Sequence, residues 1–169
     1  IFLSILLSLY RLWYDEDTSK SDNYGISVSD KRTLRGASPM KNDNLNITFS
    51  IGKYMITILK FTYECQTWNT PSHSHSSNSY ELHYIPQGKG TLISSQKSYA
   101  LYPNVLYTTG PHIEHQQYPD PSDPTYEYCI YLRIEETHTR QRRKNTDQEN
   151  IMDLFLNYPF WYGSDHADL

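Results

Sequence analysis

Between Ile47 and Ile134 the chain is cut into short runs of β-branched and aromatic residues, with turn residues recurring about every 8 to 12 positions. This spacing is the tightest constraint on what the chain can fold into. Thr48, Ser50, Tyr54, Ile56, Ile58, Lys60 and Phe61 to Tyr63 belong to the first runs, which Asn69-Thr70-Pro71 closes. Tyr80 to Pro86 is a strand, Gln87-Gly88-Lys89-Gly90 a turn, and Thr91 to Ser95 the returning strand. Ser98 to Tyr102 ends at Pro103-Asn104, and Val105 to Thr109 ends at Gly110-Pro111. Tyr118 to Pro124 carries three prolines and reads as a loop. Tyr126 to Ile134 is a long strand. Strands this short, with no helical period between them, predict an all-β sandwich or barrel and leave no room for a βαβ sheet.

The flanks differ from this middle. Residues 1 to 46 read as an N-terminal extension. Ile1 to Leu9 is apolar but too short to span a bilayer, and residues 15 to 46 are polar and aperiodic. The chain lacks an initiator Met, and Met40-Lys41-Asn42-Asp43 looks like a natural start, so the extension reads as loop or as an upstream stretch translated by mistake. An N-terminal helix packed on the domain is the alternative. The barrel is expected over residues 47 to 135. Residues 136 to 169 form a linker and helix that lead onward. There, Arg140 to Lys144 is a basic run and Thr146-Asp147-Gln148-Glu149 fits a capping box. Ile151, Leu154, Phe155 and Tyr158 make one helical face, expected to pack on the barrel and to stop at Pro159.

Composition narrows the function. The net charge is −4, so no general field draws this segment to phosphates. Two cysteines, Cys65 and Cys129, stand far apart; they make no disulfide framework and no zinc spacing, which suits a reduced, cytoplasmic protein without a membrane partner. The 16 tyrosines suit strands and pocket walls, because each ring buries a large area and keeps a polar tip.

One cluster could carry chemistry. His73 and His75 share a strand face by parity, and Glu81 and His115 follow. Three imidazoles and one carboxylate suit a divalent transition metal. Glu81, His83 and Ile85 also share a face. The same residues allow a plainer reading, in which Ser72 to Ser79 is a polar turn with solvated histidines.

His73-x-His75-x5-Glu81-x6-Gly88 resembles the first cupin motif, and Pro111-x3-His115 the second. Five residues separate His75 from Glu81 where three or four are usual. His73, His75, Glu81 and His115 are expected to converge in one cavity, with Glu81 either among the ligands or set back by the longer loop to leave an open polar pocket. Tyr80-Glu81-Leu82-His83-Tyr84-Ile85-x2-Gly88-x-Gly90, Leu101 to Tyr107, Thr109-Gly110-Pro111-His112-x2-His115 and Glu127 to Leu132 resemble the sensor domains of AraC-family regulators. Phe160-Trp161-Tyr162-Gly163-x-Asp165 resembles the start of that family's linker helices.

The resemblance implies a cupin-type double-stranded β-helix, or jelly roll, of about eight strands with a C-terminal helix. It implies a small-molecule effector, such as a carbohydrate, lined by His73, His75, Glu81, His83, Tyr107, His115 and Tyr131. It implies a possible homodimer, and DNA contact only through a helix-turn-helix half that this sequence does not contain. The chain is then a regulator rather than an enzyme. The alternatives are a metal-dependent cupin isomerase or dioxygenase, with His73, His75, Glu81 and His115 as ligands, and a cupin that only binds carbohydrate.

Overall fold

A computed structural model describes residues 40–137 and 147–164. The chain divides into two units, Ile1–Ala37 and Ser38–Leu169, and the described residues all lie in the second. The expectations for residues 1 to 39, for Arg140 to Lys144 and for the Thr146 cap fall outside them.

Ten strands and one helix are described: β1 (Met40–Ile51), β2 (Tyr54–Gln66), β3 (Thr70–His73), β4 (Ser79–Gln87), β5 (Gly90–Ser94), β6 (Lys97–Leu101), β7 (Val105–Thr109), β8 (His115–Pro119), β9 (Thr125–Glu136), α1 (Asp147–Asn157) and β10 (Phe160–Ser164). They form a six-stranded sheet in the order β1-β2-β9-β4-β7-β10 and a four-stranded sheet in the order β3-β8-β5-β6. Every pairing between named strands is antiparallel. The turn spacing implies an all-β sandwich or barrel and the cupin resemblance a jelly roll, and the two antiparallel sheets have that all-β jelly-roll arrangement. Among the described residues no helix is long and apolar enough to cross a membrane.

Alternation along the strands splits the interior into two halves. Ile85, Leu92, Leu101, Val105 and Tyr107 form a buried apolar cluster, with Tyr99, Tyr102, Phe160 and Tyr162 packed against it. Two residues back along β4, the same face turns polar, with His83 and then Glu81. The register fixes who meets whom. Glu81 pairs with Thr109 on one side and Tyr131 on the other, and His83 with Tyr107 and Cys129. Polar groups are therefore gathered at one end of a barrel whose other end is dry.

Several boundaries differ from the sequence reading. β1 begins at Met40, seven residues before the expected start at Ile47. Its first part pairs with β2 across a register shift between Asp43 and Ile47, where Asn44 and Asn46 take φ values of 72° and 52°. Asn tolerates that left-handed region, so a polar stretch that looks aperiodic is a bulged edge strand. Thr70–His73 is a short strand, not a break, and His115–Pro119 carries strand pairing into the expected loop. Phe160–Ser164 is strand β10 on the free edge of β7, not the start of a linker helix. Its aromatic residues suit a strand, and Pro159 has already ended the helix.

The helix also presents a different face. Met152 is buried, and the Phe155 ring meets Tyr80 at 5.4 Å, whereas Ile151, Leu154 and Tyr158 are exposed. Polar anchors set this rotation. Tyr54 donates its hydroxyl to Asp153, Lys53 Nζ lies 3.5 Å from Asp153, and the Lys53 backbone N–H donates to Glu149 at 3.0 Å.

Candidate functional site

The polar end of the barrel is built from five strands. β3 pairs with β8 so that His73 stands opposite His115. The chain then leaves β3, and His75 bridges Pro111 in parallel, with the His112 N–H donating to the His75 carbonyl at 2.9 Å. A tight turn follows, in which the Ser79 N–H donates to the Ser76 carbonyl at 3.2 Å and Asn78 takes a φ of 65°. This turn absorbs the extra residues between His75 and Glu81. Glu81 is accordingly not set back: its Oε2 lies 2.8 Å from His75 Nε2, 3.3 Å from His115 Nε2 and 3.9 Å from His73 Nε2. One ligand atom from each of His73, His75, Glu81 and His115 falls within 4.8 Å of all the others.

The ring orientations are fixed from behind. His73 Nδ1 donates to the Pro71 carbonyl at 2.9 Å, and His115 Nδ1 donates to the Ile113 carbonyl at 3.0 Å. A carbonyl has no proton to give, so each Nδ1 holds a proton and each Nε2 is left to face the cluster. The buried Nε2 atoms of His75 and His115 have no hydrogen-bond partner among the described residues. Buried polar atoms left this way are rare, and ring nitrogens that converge on one point suit a cation or a bound polar ligand.

Charge follows from this crowding. Burial opposes ionisation of Glu81, but the rings of His115, His75 and His83 outweigh it and hold the carboxyl far below the usual range. Burial also pulls the His73 ring below its ordinary value.

A second polar layer lies beneath. The Glu127 carboxylate is 2% exposed and accepts from His83 Nδ1, from the Tyr107 hydroxyl at 3.1 Å and from Gln117 Nε2 at 3.1 Å. The His83 ring stacks on Tyr107 at 4.3 Å with 5° between planes, and His83 Nε2 lies 3.3 Å from Glu81 Oε2. Burial disfavours the charged His83 ring, but Cys129 and Glu127 more than compensate and lift it well above its ordinary value. Burial pushes the Cys129 thiol up to about 11.

All seven residues singled out from the sequence stand around this cluster. His73, His75, Glu81 and His115 face one another, His83 and Tyr107 form the layer beneath, and the Tyr131 ring lies 5.2 Å from His75. Sequence reasoning missed Glu127, Cys129 and Gln117. Parity holds the signal that finds them: Glu127 and Cys129 share a face with Tyr131 on β9, and Gln117 shares one with His115 on β8.

Comparison with known proteins places these features in a family. No curated protein matches the sequence. Among solved structures, the protein YhaK from Escherichia coli is similar at 8% identity and a TM-score of 0.47, over 75% of this chain. The chain spans only 51% of YhaK's length. A cupin protein from Bacteroides fragilis is similar at 15% identity and a TM-score of 0.42, over 77% of this chain and 96% of that one. The cupin domain of Cnp3 from Schizosaccharomyces pombe is similar at 8% identity and a TM-score of 0.41, over 60% of this chain and 72% of that one. The family model of the AraC-like ligand binding domain matches residues 60–159, from β2 to the end of the helix, and the chain belongs to that family.

Proposed function

We propose that this domain is the effector-sensing part of an AraC-like transcription regulator, and that the effector binds at the polar end of the barrel against His73, His75, Glu81, His83, Tyr107, His115 and Tyr131. The observation that carries the reading is the convergence of three imidazoles on one carboxylate inside a barrel of a ligand-binding family. A divalent transition metal held by His73, His75, Glu81 and His115 fits the same geometry. Ligand bonds of about 2.0 to 2.2 Å put neighbouring donor atoms roughly 2.8 to 3.6 Å apart, close to the separations found here. When bound, such an ion supplies a Lewis-acid anchor for an oxygen-rich effector. A polyol or sugar suits the site, because imidazoles, Tyr131 and the buried Thr109 hydroxyl offer hydrogen bonds beside aromatic faces.

Signalling then requires two states that the effector binds unequally. β7 carries Tyr107 and Thr109 at the cluster and pairs on its far edge with β10, so a shift at the site reaches the segment that follows the helix. The exposed stripe of Ile151, Leu154 and Tyr158 supports a homodimer reading. DNA contact belongs to a separate helix-turn-helix segment, and the working place of such a regulator is the cytoplasm. The test is a thermal-shift screen of sugars, polyols and sugar acids, with and without Zn²⁺ or Mn²⁺, on the wild type and on His115→Ala. A ligand at a hundred times its Kd adds about 2.7 kcal/mol. A stabilising ligand whose effect disappears in His115→Ala supports the reading. No stabilisation across the screen, or one that survives in His115→Ala, rejects it.

A second reading follows from the rings whose Nδ1 protons are fixed by carbonyls, an arrangement that also prepares imidazoles for a catalytic metal. A metal-dependent isomerase or dioxygenase reads the site that way, and turnover of a ligand found in the screen distinguishes it from the sensor.

A further inference from the structure

We propose that Glu81, His83 and Cys129 form a second metal site, distinct from the cage of His73, His75, Glu81 and His115 and joined to it by the shared Glu81 carboxylate. The class of ion is a borderline-soft divalent cation of the Zn²⁺ type, since the set combines thiolate, imidazole and carboxylate. This site shares a residue with the cage but does not depend on the cage being occupied.

Three observations carry it. One ligand atom from each of Glu81, His83 and Cys129 falls within 4.8 Å of the others. The separations have the right size: His83 Nε2 is 3.3 Å from Glu81 Oε2, and Cys129 Sγ is 3.9 Å from Glu81 Oε1. A tetrahedral ion with bonds of ~2.0 to 2.3 Å needs about 3.4 Å between N and O and about 3.6 Å between S and O. The two oxygens of Glu81 meet different groups. Oε2 lies against the three histidines of the cage and against His83 Nε2 alike, while Oε1 makes the contact with Cys129 Sγ. A carboxylate so placed can bridge two ions.

The second shell is present as well. The far nitrogen of His83, Nδ1, is held by the buried Glu127 carboxylate, which Tyr107 and Gln117 hold in turn. A carboxylate behind an imidazole fixes the ring and strengthens the opposite nitrogen as a ligand. Register supplies the third ligand, because Cys129 is the partner of His83 across β4 and β9. Binding needs a lone pair on His83 Nε2 and a thiolate on Cys129, so any proton held on these two atoms leaves to solvent.

The test is Co²⁺ titration of the full metal-free chain, read by stoichiometry and by the thiolate-to-cobalt charge-transfer band in the near ultraviolet. The wild type is expected to bind about two equivalents and to develop the band. Cys129→Ser should lose the band and one equivalent, His83→Gln should lose the band, and Cys65→Ser should keep it. Circular dichroism checks each variant's fold, and Cys129→Ala serves where the serine variant does not fold. No band in the wild type at saturating Co²⁺, or a band that survives in Cys129→Ser, overturns the proposal. His73→Ala separates the two sites. A fall from about two equivalents to about one in His73→Ala, with the band kept, assigns one ion to each site. A wild type that binds only about one equivalent, unchanged in His73→Ala and with a band that Cys129→Ser abolishes, leaves the second site standing and metal binding at the cage failing.

Discussion

Gly52 and Glu149 are in such close approach that a Cβ on Gly52 would lie 2.1 Å from Glu149 Cγ. Gly52 sits in the β1–β2 turn at φ +58, a conformation that L side chains resist. The next residue, Lys53, donates its N–H to Glu149 at 3.0 Å. The turn and the helix therefore fix each other, and Gly52→Ala meets both backbone strain and a clash. We expect Gly52→Ala to cost about 2 kcal/mol or more, and Glu149→Ala about 1 kcal/mol for the lost acceptor. At roughly 3 °C per kcal/mol, thermal unfolding resolves both. An unchanged midpoint for Gly52→Ala would show that the helix is not seated on this turn.

The buried layer under the site should respond in a fixed order. Glu127 has three side-chain partners, His83, Tyr107 and Gln117, and removing it leaves a buried imidazole without its counter-charge. Such a loss costs roughly 3 to 5 kcal/mol, whereas Tyr107→Phe removes a single hydroxyl and costs about 1 to 2 kcal/mol. Urea unfolding of Glu127→Ala, Tyr107→Phe and the double variant measures this. Because the two share a hydrogen bond, the double variant should be less destabilised than the sum. Strict additivity would mean that the bond contributes nothing.

The dry end of the barrel gives a cleaner number. Leu92 is fully buried within the cluster of Ile85, Leu101, Val105 and Tyr107. Leu92→Ala removes apolar contacts and leaves a cavity that β5 and β7 cannot close without breaking register. The expected cost is about 3 to 4 kcal/mol, read as a lower urea midpoint at unchanged slope. A cost under ~1.5 kcal/mol would place Leu92 at a surface rather than in the core.

The sequence made the barrel legible because turn residues recur between Gln87 and Pro111 at positions that only short strands tolerate. The histidine cluster was legible for a similar reason: parity alone puts His73 with His75, and Glu81 with His83. What stayed hidden depended on tertiary register. Glu127 reads as one acid within a tyrosine-rich strand until β9 is laid beside β4. The distance from His75 to Glu81 depended on the Ser76–Asn78 turn, whose tightness comes from Asn78 at positive φ and not from residue count. The helix face was misread because apolar spacing does not report polar anchors, and Tyr54 and Lys53 turn Asp153 and Glu149 toward the barrel. The strand at Phe160–Ser164 needed an open edge on β7, which nothing in its own residues announces.

Tyr63 carries the last prediction. Its side chain is buried, its ring stacks on Tyr128 at 4.4 Å, and its hydroxyl has no hydrogen-bond partner among the described residues. Burial is the main reason its acidity is weakened, with the neighbouring Tyr128, Tyr126 and Cys65 adding repulsion, and its pKa is pushed up to about 12. The sign follows. The folded state holds this proton more tightly than the unfolded state, whose tyrosine titrates near 10, so the unfolded state sheds protons first as pH rises. The stability tied to this proton is complete below pH ~10 and is lost as pH climbs toward about 12. Tyr63→Phe keeps the stacked ring, removes the unpaired hydroxyl and removes this titration. It should therefore stabilise the domain by up to about 1 kcal/mol at neutral pH and flatten the alkaline fall in stability. Urea midpoints measured from neutral pH to beyond 11 test both parts. A neutral-pH loss of stability in Tyr63→Phe would show that the hydroxyl is hydrogen-bonded in solution, and an unchanged alkaline slope would show that another group governs it.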